Sequence, residues 1–167
     1  MLPRPRRKER YPAFPLKANL VTVLLLSAVF GMGFHLSLHF GLVGPVVYLA
    51  LWALSYPLIY AGACRYCAYY GNRCPIPLEG SCVHRFVKPK RGGFGYPALA
   101  WATFAYGLRL AVPAVAIVAG KQWQEGLLFG ATLSLFWLIH LRVSGCPNCI
   151  NTDCPLNPDY RAGNGGK

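Results

Sequence analysis

Four apolar runs of about 20 residues, the length that crosses a bilayer, constrain this chain more than any other feature. They cover approximately Ala18–Phe40, Gly44–Gly62, Pro97–Gly120 and Gly126–Ser144. Each could instead be a helix buried in a large soluble core. A chain of 167 residues has too little remaining sequence to wrap four such helices in protein. Only 13% of its residues are charged, against about a quarter in ordinary soluble domains. The expected fold is therefore an all-α integral membrane protein with four transmembrane helices.

The net charge of +12 looks at first like a nucleic-acid signature, but its distribution argues against that. Arg4, Arg6, Arg7, Lys8, Arg10 and Lys17 precede the first run, and Arg65, Arg73, Arg85, Lys88, Lys90 and Arg91 lie between the second and third. The tail adds Arg142, Arg161 and Lys167, while the other two connections carry only Lys121. Basic residues collect in cytoplasmic loops, so both termini and the central loop are expected in the cytoplasm, against anionic lipid headgroups. The partners this implies are the lipid bilayer and other proteins, and no nucleic acid. A basic N-terminus also opens signal peptides. Here the run that follows is long, and no small-residue cleavage site precedes the next run, so it reads as an anchor that stays.

The same topology puts all seven cysteines on the cytoplasmic side, where thiols are kept reduced and clustered cysteines point to metal or redox chemistry. They fall into two modules. Cys64-Arg-Tyr-Cys67 is followed by Cys74-Pro75, and Cys146-Pro-Asn-Cys149 by Cys154-Pro155. A two-residue gap lets both sulfurs of a tight turn face one ion or cluster, and Cys-Pro holds the exit extended. Cys82 has no counterpart in the second module. Cys64, Cys67, Cys74 and Cys82 make one possible set of four ligands. Cys146, Cys149 and Cys154 would need a fourth, from His84 or His140. Alternatively, the two Cys-x2-Cys pairs share one ion, or the thiols form a dithiol couple without metal. Cys-Pro endings favour an iron–sulfur cluster, with zinc as the alternative.

The modules close the halves of a tandem repeat. Tyr11-Pro-Ala13 matches Tyr96-Pro-Ala98, Gly41-Leu42 matches Gly126-Leu127 and Trp52 matches Trp137, all at an offset of 85. Two spans per repeat make the repeats parallel, so that two helical hairpins join in one four-helix bundle with both modules on one face. The organisation read from this is a basic cytoplasmic arm over 1–17, repeat 1 over 18–75 and a basic, Gly-rich loop over 76–96. Repeat 2 covers 97–155 and a disordered tail 156–167.

Arg109 falls near the middle of the third run, and no Asp or Glu lies in any run to neutralise it. Such a residue faces the bundle interior or a wet cavity. With Tyr106, Tyr56 and Tyr60 around it, it could bind an anionic or carbonyl-bearing ligand such as a quinone head. The bland alternative is an arginine that snorkels to the surface. On sequence alone, Arg109→Leu is expected to insert at least as well as the parent. His35 and His39 lie at the end of the first run opposite to His140, so a shared haem is not expected. No nucleotide-binding motif or acid–base pair marks an independent enzyme. The leading functional expectation is an electron-transfer or accessory subunit of a membrane redox complex, working with other subunits or a soluble electron-transfer protein. A non-catalytic subunit whose zinc knuckles dock a partner is the alternative, and a thiol-based metal transporter is a third.

Overall fold

A computed structural model describes residues 9–76, 78–90 and 92–160. Arg4, Arg6, Arg7 and Lys8 of the arm, Arg91 of the loop and the tail from Arg161 to Lys167 lie outside the described residues. Among the described residues the protein is all-helical, without strands. Its long helices are α1 (Leu16–Ser37), α2 (Val43–Gly62), α4 (Tyr96–Ala119) and α5 (Trp123–Ile139), with the one-turn α3 (Glu79–Cys82) in the central loop. A π-helical turn, His140–Ser144, continues α5. All four long helices are long and apolar enough to cross a membrane, which is the make-up of a multi-pass membrane protein.

Their outward faces are apolar as well. Leu20, Leu24, Val46, Leu54, Phe104, Val118, Leu127 and Leu138 are each at least half exposed. Helices that are apolar all round need lipid or protein on every side. What turns inward is small or aromatic. On α4 the buried positions are Ala98, Ala102, Ala105, Arg109, Val112, Pro113 and Ala116, a stripe at helical spacing whose alanines let neighbouring backbones approach closely. α1 and α4 form the central pair, with α2 packed on α4 and α5 on α1. Gly62 lets Trp101 of α4 lie against the α2 backbone, because any Cβ there would fall inside the indole ring. The indole N–H then donates to the Leu58 carbonyl at 2.6 Å.

The hairpin turns at Gly41 and Lys121 close one end of the bundle, and everything else gathers at the other. The described part of the arm folds into the loops. Phe14 is fully buried, the Tyr11 and Phe14 amides donate to the carbonyls of Asn148 and Arg73, and Arg10 pairs with Asp159 at 2.9 Å. The chain also stays packed beyond residue 155. Asn157 is buried and its amide donates to the Cys149 carbonyl at 2.9 Å, while Tyr160 meets the edge of Tyr96.

Candidate functional site

Both Cys-x2-Cys motifs begin as one 3-10 turn, Cys64–Tyr66 and Cys146–Asn148. In each the second cysteine returns its N–H to the carbonyl of the first, at 3.1 Å for Cys67 and 3.3 Å for Cys149. The chain then leaves extended, with ψ of 145° at Cys67 and 134° at Cys149. Residues i and i+3 of a 3-10 turn eclipse, so each pair of thiols shares one side.

Asn151 joins the modules. It is 5% exposed, its N–H donates to Cys149 Sγ at 3.4 Å, and its Nδ2 donates to Cys67 Sγ at 3.5 Å. Tyr69 is a second joint. Its hydroxyl donates to the Tyr11 carbonyl at 2.7 Å and accepts the Ile150 N–H at 3.2 Å. Burial pushes the Cys67 thiol up to about 12, with Cys149 and Cys154 adding to the shift. Burial likewise takes Cys154 up to about 11, and it raises Cys74 with help from Glu79 and Cys67.

Burial favours the neutral thiol at Cys67, Cys74 and Cys154. Cys74, for example, donates to the Ile76 carbonyl at 2.7 Å. Among the described residues no three His, Cys, Asp or Glu side chains converge on one point as a ready-made metal site. The remaining candidate ligands differ in placement. Cys82 packs against the core around Ile59, Tyr60 and Cys64, and His84 is exposed. His140 stacks on Phe136. Its Nδ1 is buried without a hydrogen-bond partner and faces Gly145, the residue before Cys146.

Beneath the first module lies a second cluster, which brings Arg109, Tyr106 and Tyr56 together. The Arg109 guanidinium is sandwiched by Trp52, Tyr56 and Tyr106, with ring centroids 4.6, 4.7 and 4.9 Å away. Its Nε donates to Ser55 Oγ at 2.7 Å. Its Nη2 meets Glu79 Oε1 at 3.4 Å, both side chains being almost wholly buried. Glu79 Oε2 accepts the Tyr106 hydroxyl at 2.6 Å.

Glu79 is the residue the sequence reading missed. It sits in the cytoplasm-side loop by sequence and in the bundle by structure. Leu78, in the left-handed region at φ 68°, turns the chain so that α3 presents its carboxylate inward, and the Tyr60 hydroxyl holds the Leu78 carbonyl at 3.2 Å. One signal pointed to it. It is one of only five acidic residues in the chain, and it stands in an otherwise apolar stretch, Pro75-Ile-Pro-Leu-Glu79.

Gly80 fixes this loop to the thiols. Its N–H donates to Cys74 Sγ at 3.3 Å and its carbonyl accepts the Gly71 N–H at 2.9 Å. A Cβ on Gly80 would collide with the Asn72 carbonyl oxygen and press on Tyr69 O at 2.9 Å. Overpacking against backbone costs about 1–3 kcal/mol. Gly80→Ala is therefore expected to loosen residues 69–80, read as faster amide exchange there with the four long helices unchanged.

Comparison with protein-family models, with curated proteins and with solved structures finds no match to this chain.

Proposed function

We propose that this is a multi-pass membrane protein carrying a metal–thiolate centre at its cytoplasmic end, and that it serves as an electron-transfer or accessory subunit of a membrane redox complex. The observation that carries the reading is Asn151, one buried residue hydrogen-bonded to a thiol of each module. Two modules held this way would supply sulfurs to one centre. Cys64, Cys67 and Cys74 would supply ligands from the first module. Cys146, Cys149 and Cys154 would supply them from the second, with the unpartnered Nδ1 of His140 beside them. Metal must displace the thiol protons, so binding is tighter at higher pH. An iron–sulfur cluster, when bound, supplies one-electron transfer. The protein's part is to bury the sulfurs and hold the two modules in register.

The tandem-repeat reading is supported by the helix pairing. Exchanging α1 with α4 and α2 with α5 maps the α2–α4 contact onto the α5–α1 contact, and the α1–α2 contact onto the α4–α5 contact. The two thiol turns also share one backbone shape. The basic residues at the thiol end, among them Arg73, Arg85, Lys88, Lys90 and Arg142, are exposed, and they support a cytoplasmic face on which an acidic soluble partner docks. For Arg109, the Glu79 carboxylate neutralises the guanidinium and disfavours an anion. Arg109 Nη1 and Trp52 Nε1 remain buried donors without acceptors, so a neutral carbonyl such as that of a quinone head is the better match.

One observation favours a second reading. The arm, both modules and residues 156–160 are stapled together through Tyr69, Asn148 and Asn157, which is what a structural zinc knuckle would reinforce. The visible spectrum of anaerobically purified protein separates the two. A brown protein with broad visible absorption supports the redox reading, and a colourless protein whose zinc is lost in Cys67→Ser supports the knuckle.

A further inference from the structure

We propose a divalent-cation site at the opposite end of the bundle, formed by His35, His39 and Glu125. His35 and His39 are four residues apart where α1 runs into the 3-10 turn Leu38–Phe40, so they share a face. Glu125 lies in the first turn of α5. Its Oε2 stands 3.4 Å from His39 Nε2 and 3.8 Å from His35 Nε2. Both separations exceed the roughly 2.7–3.2 Å of a good N–H···O bond. The His39 separation matches the edge of a tetrahedron whose ligands lie about 2.0–2.1 Å from a zinc ion, which is about 3.4 Å; the His35 separation, 3.8 Å, is longer than that edge.

The outer face of the site agrees. His39 Nδ1 faces the Gln122 side-chain amide at 3.5 Å. The two ends of that amide are interchangeable in shape. With its oxygen accepting Nδ1–H, the ring keeps its Nε2 lone pair for an ion, the arrangement that orients metal-bound histidines. The His35 and His39 ring centroids are 6.4 Å apart, so the three donor atoms do not yet converge. His35 is 69% exposed, and rotation about its own side-chain bonds brings its Nε2 in. Two imidazoles and one carboxylate then leave a fourth position for water, and imidazole with carboxylate suits zinc. The ion would tie α1 of the first half to α5 of the second. This site is independent of the thiols and of the function proposed for them.

Zinc binding to the full-length protein, measured by equilibrium dialysis in detergent, tests it. The wild type is expected to bind one zinc per chain more than His35→Ala or Glu125→Gln, with any zinc held by the thiols common to all three. Gln122→Leu should keep the ion with about tenfold weaker affinity. His35 is exposed enough that its truncation cannot unfold the bundle. Equal zinc content in the wild type, His35→Ala and Glu125→Gln would overturn the proposal.

Discussion

Arg109→Leu is expected to destabilise the folded protein by about 3–5 kcal/mol, the usual cost of leaving one member of a buried ion pair behind. Glu79→Leu costs a similar amount, and the double variant Arg109→Leu/Glu79→Leu recovers most of the loss. The reason is geometric. Both side chains are almost wholly buried and face each other at 3.4 Å, so neither charge reaches water once its partner is gone. Leucine at both positions removes two desolvation costs and leaves Ser55 and the Tyr106 hydroxyl to find other partners. Unfolding of the three variants in detergent gives the coupling energy directly. Additive losses would show that Arg109 and Glu79 act separately.

The sequence alone leads to the opposite expectation, that Arg109→Leu relieves a cost. That expectation assumes an arginine with no acid nearby, and the assumption does not hold because Glu79 approaches from outside the spans. Apolar runs are legible because bilayer thickness imposes a length and lipid imposes a composition. Neither constraint acts on a loop. The inward turn at Leu78 depends on Tyr60, Tyr106 and Arg109 across sequence separations that no local pattern records. The same holds for Asn151, which carries no motif yet touches both modules. The nesting of Phe14 under Tyr69 was equally hidden, since Pro- and Arg-rich sequence around it reads as a solvated arm. By contrast, the meeting of Arg109 with Tyr106 and Tyr56 was legible. Tyr106 is one helical turn from Arg109 on α4, and an intramembrane cation draws aromatic faces. A tight turn at each Cys-x2-Cys was also legible, because both sulfurs can face one ion only from such a turn.

The second large effect concerns the thiols. Cys67→Ser is expected to release most of the metal held by the thiols, and Cys149→Ser to do the same, because Asn151 hydrogen-bonds to both of these sulfurs. Either variant should also unlock the arm from the loops, so that the peptide bonds around Tyr11–Phe14 become open to protease. The four long helices should remain inserted, since lipid holds each of them independently of the cap. Cys82→Ser is expected to keep its metal, because Cys82 packs into the core around Tyr60 and has no counterpart in the second module. Release by Cys82→Ser but not by Cys149→Ser would point to a site confined to the first module.

The most direct measurement is the iron and zinc content of the wild-type protein, purified in detergent without oxygen. At least one equivalent of iron or zinc per chain is expected that Cys67→Ser loses and His35→Ala keeps. Neither metal in the wild type, with all seven thiols free to react once the protein is denatured, would contradict it.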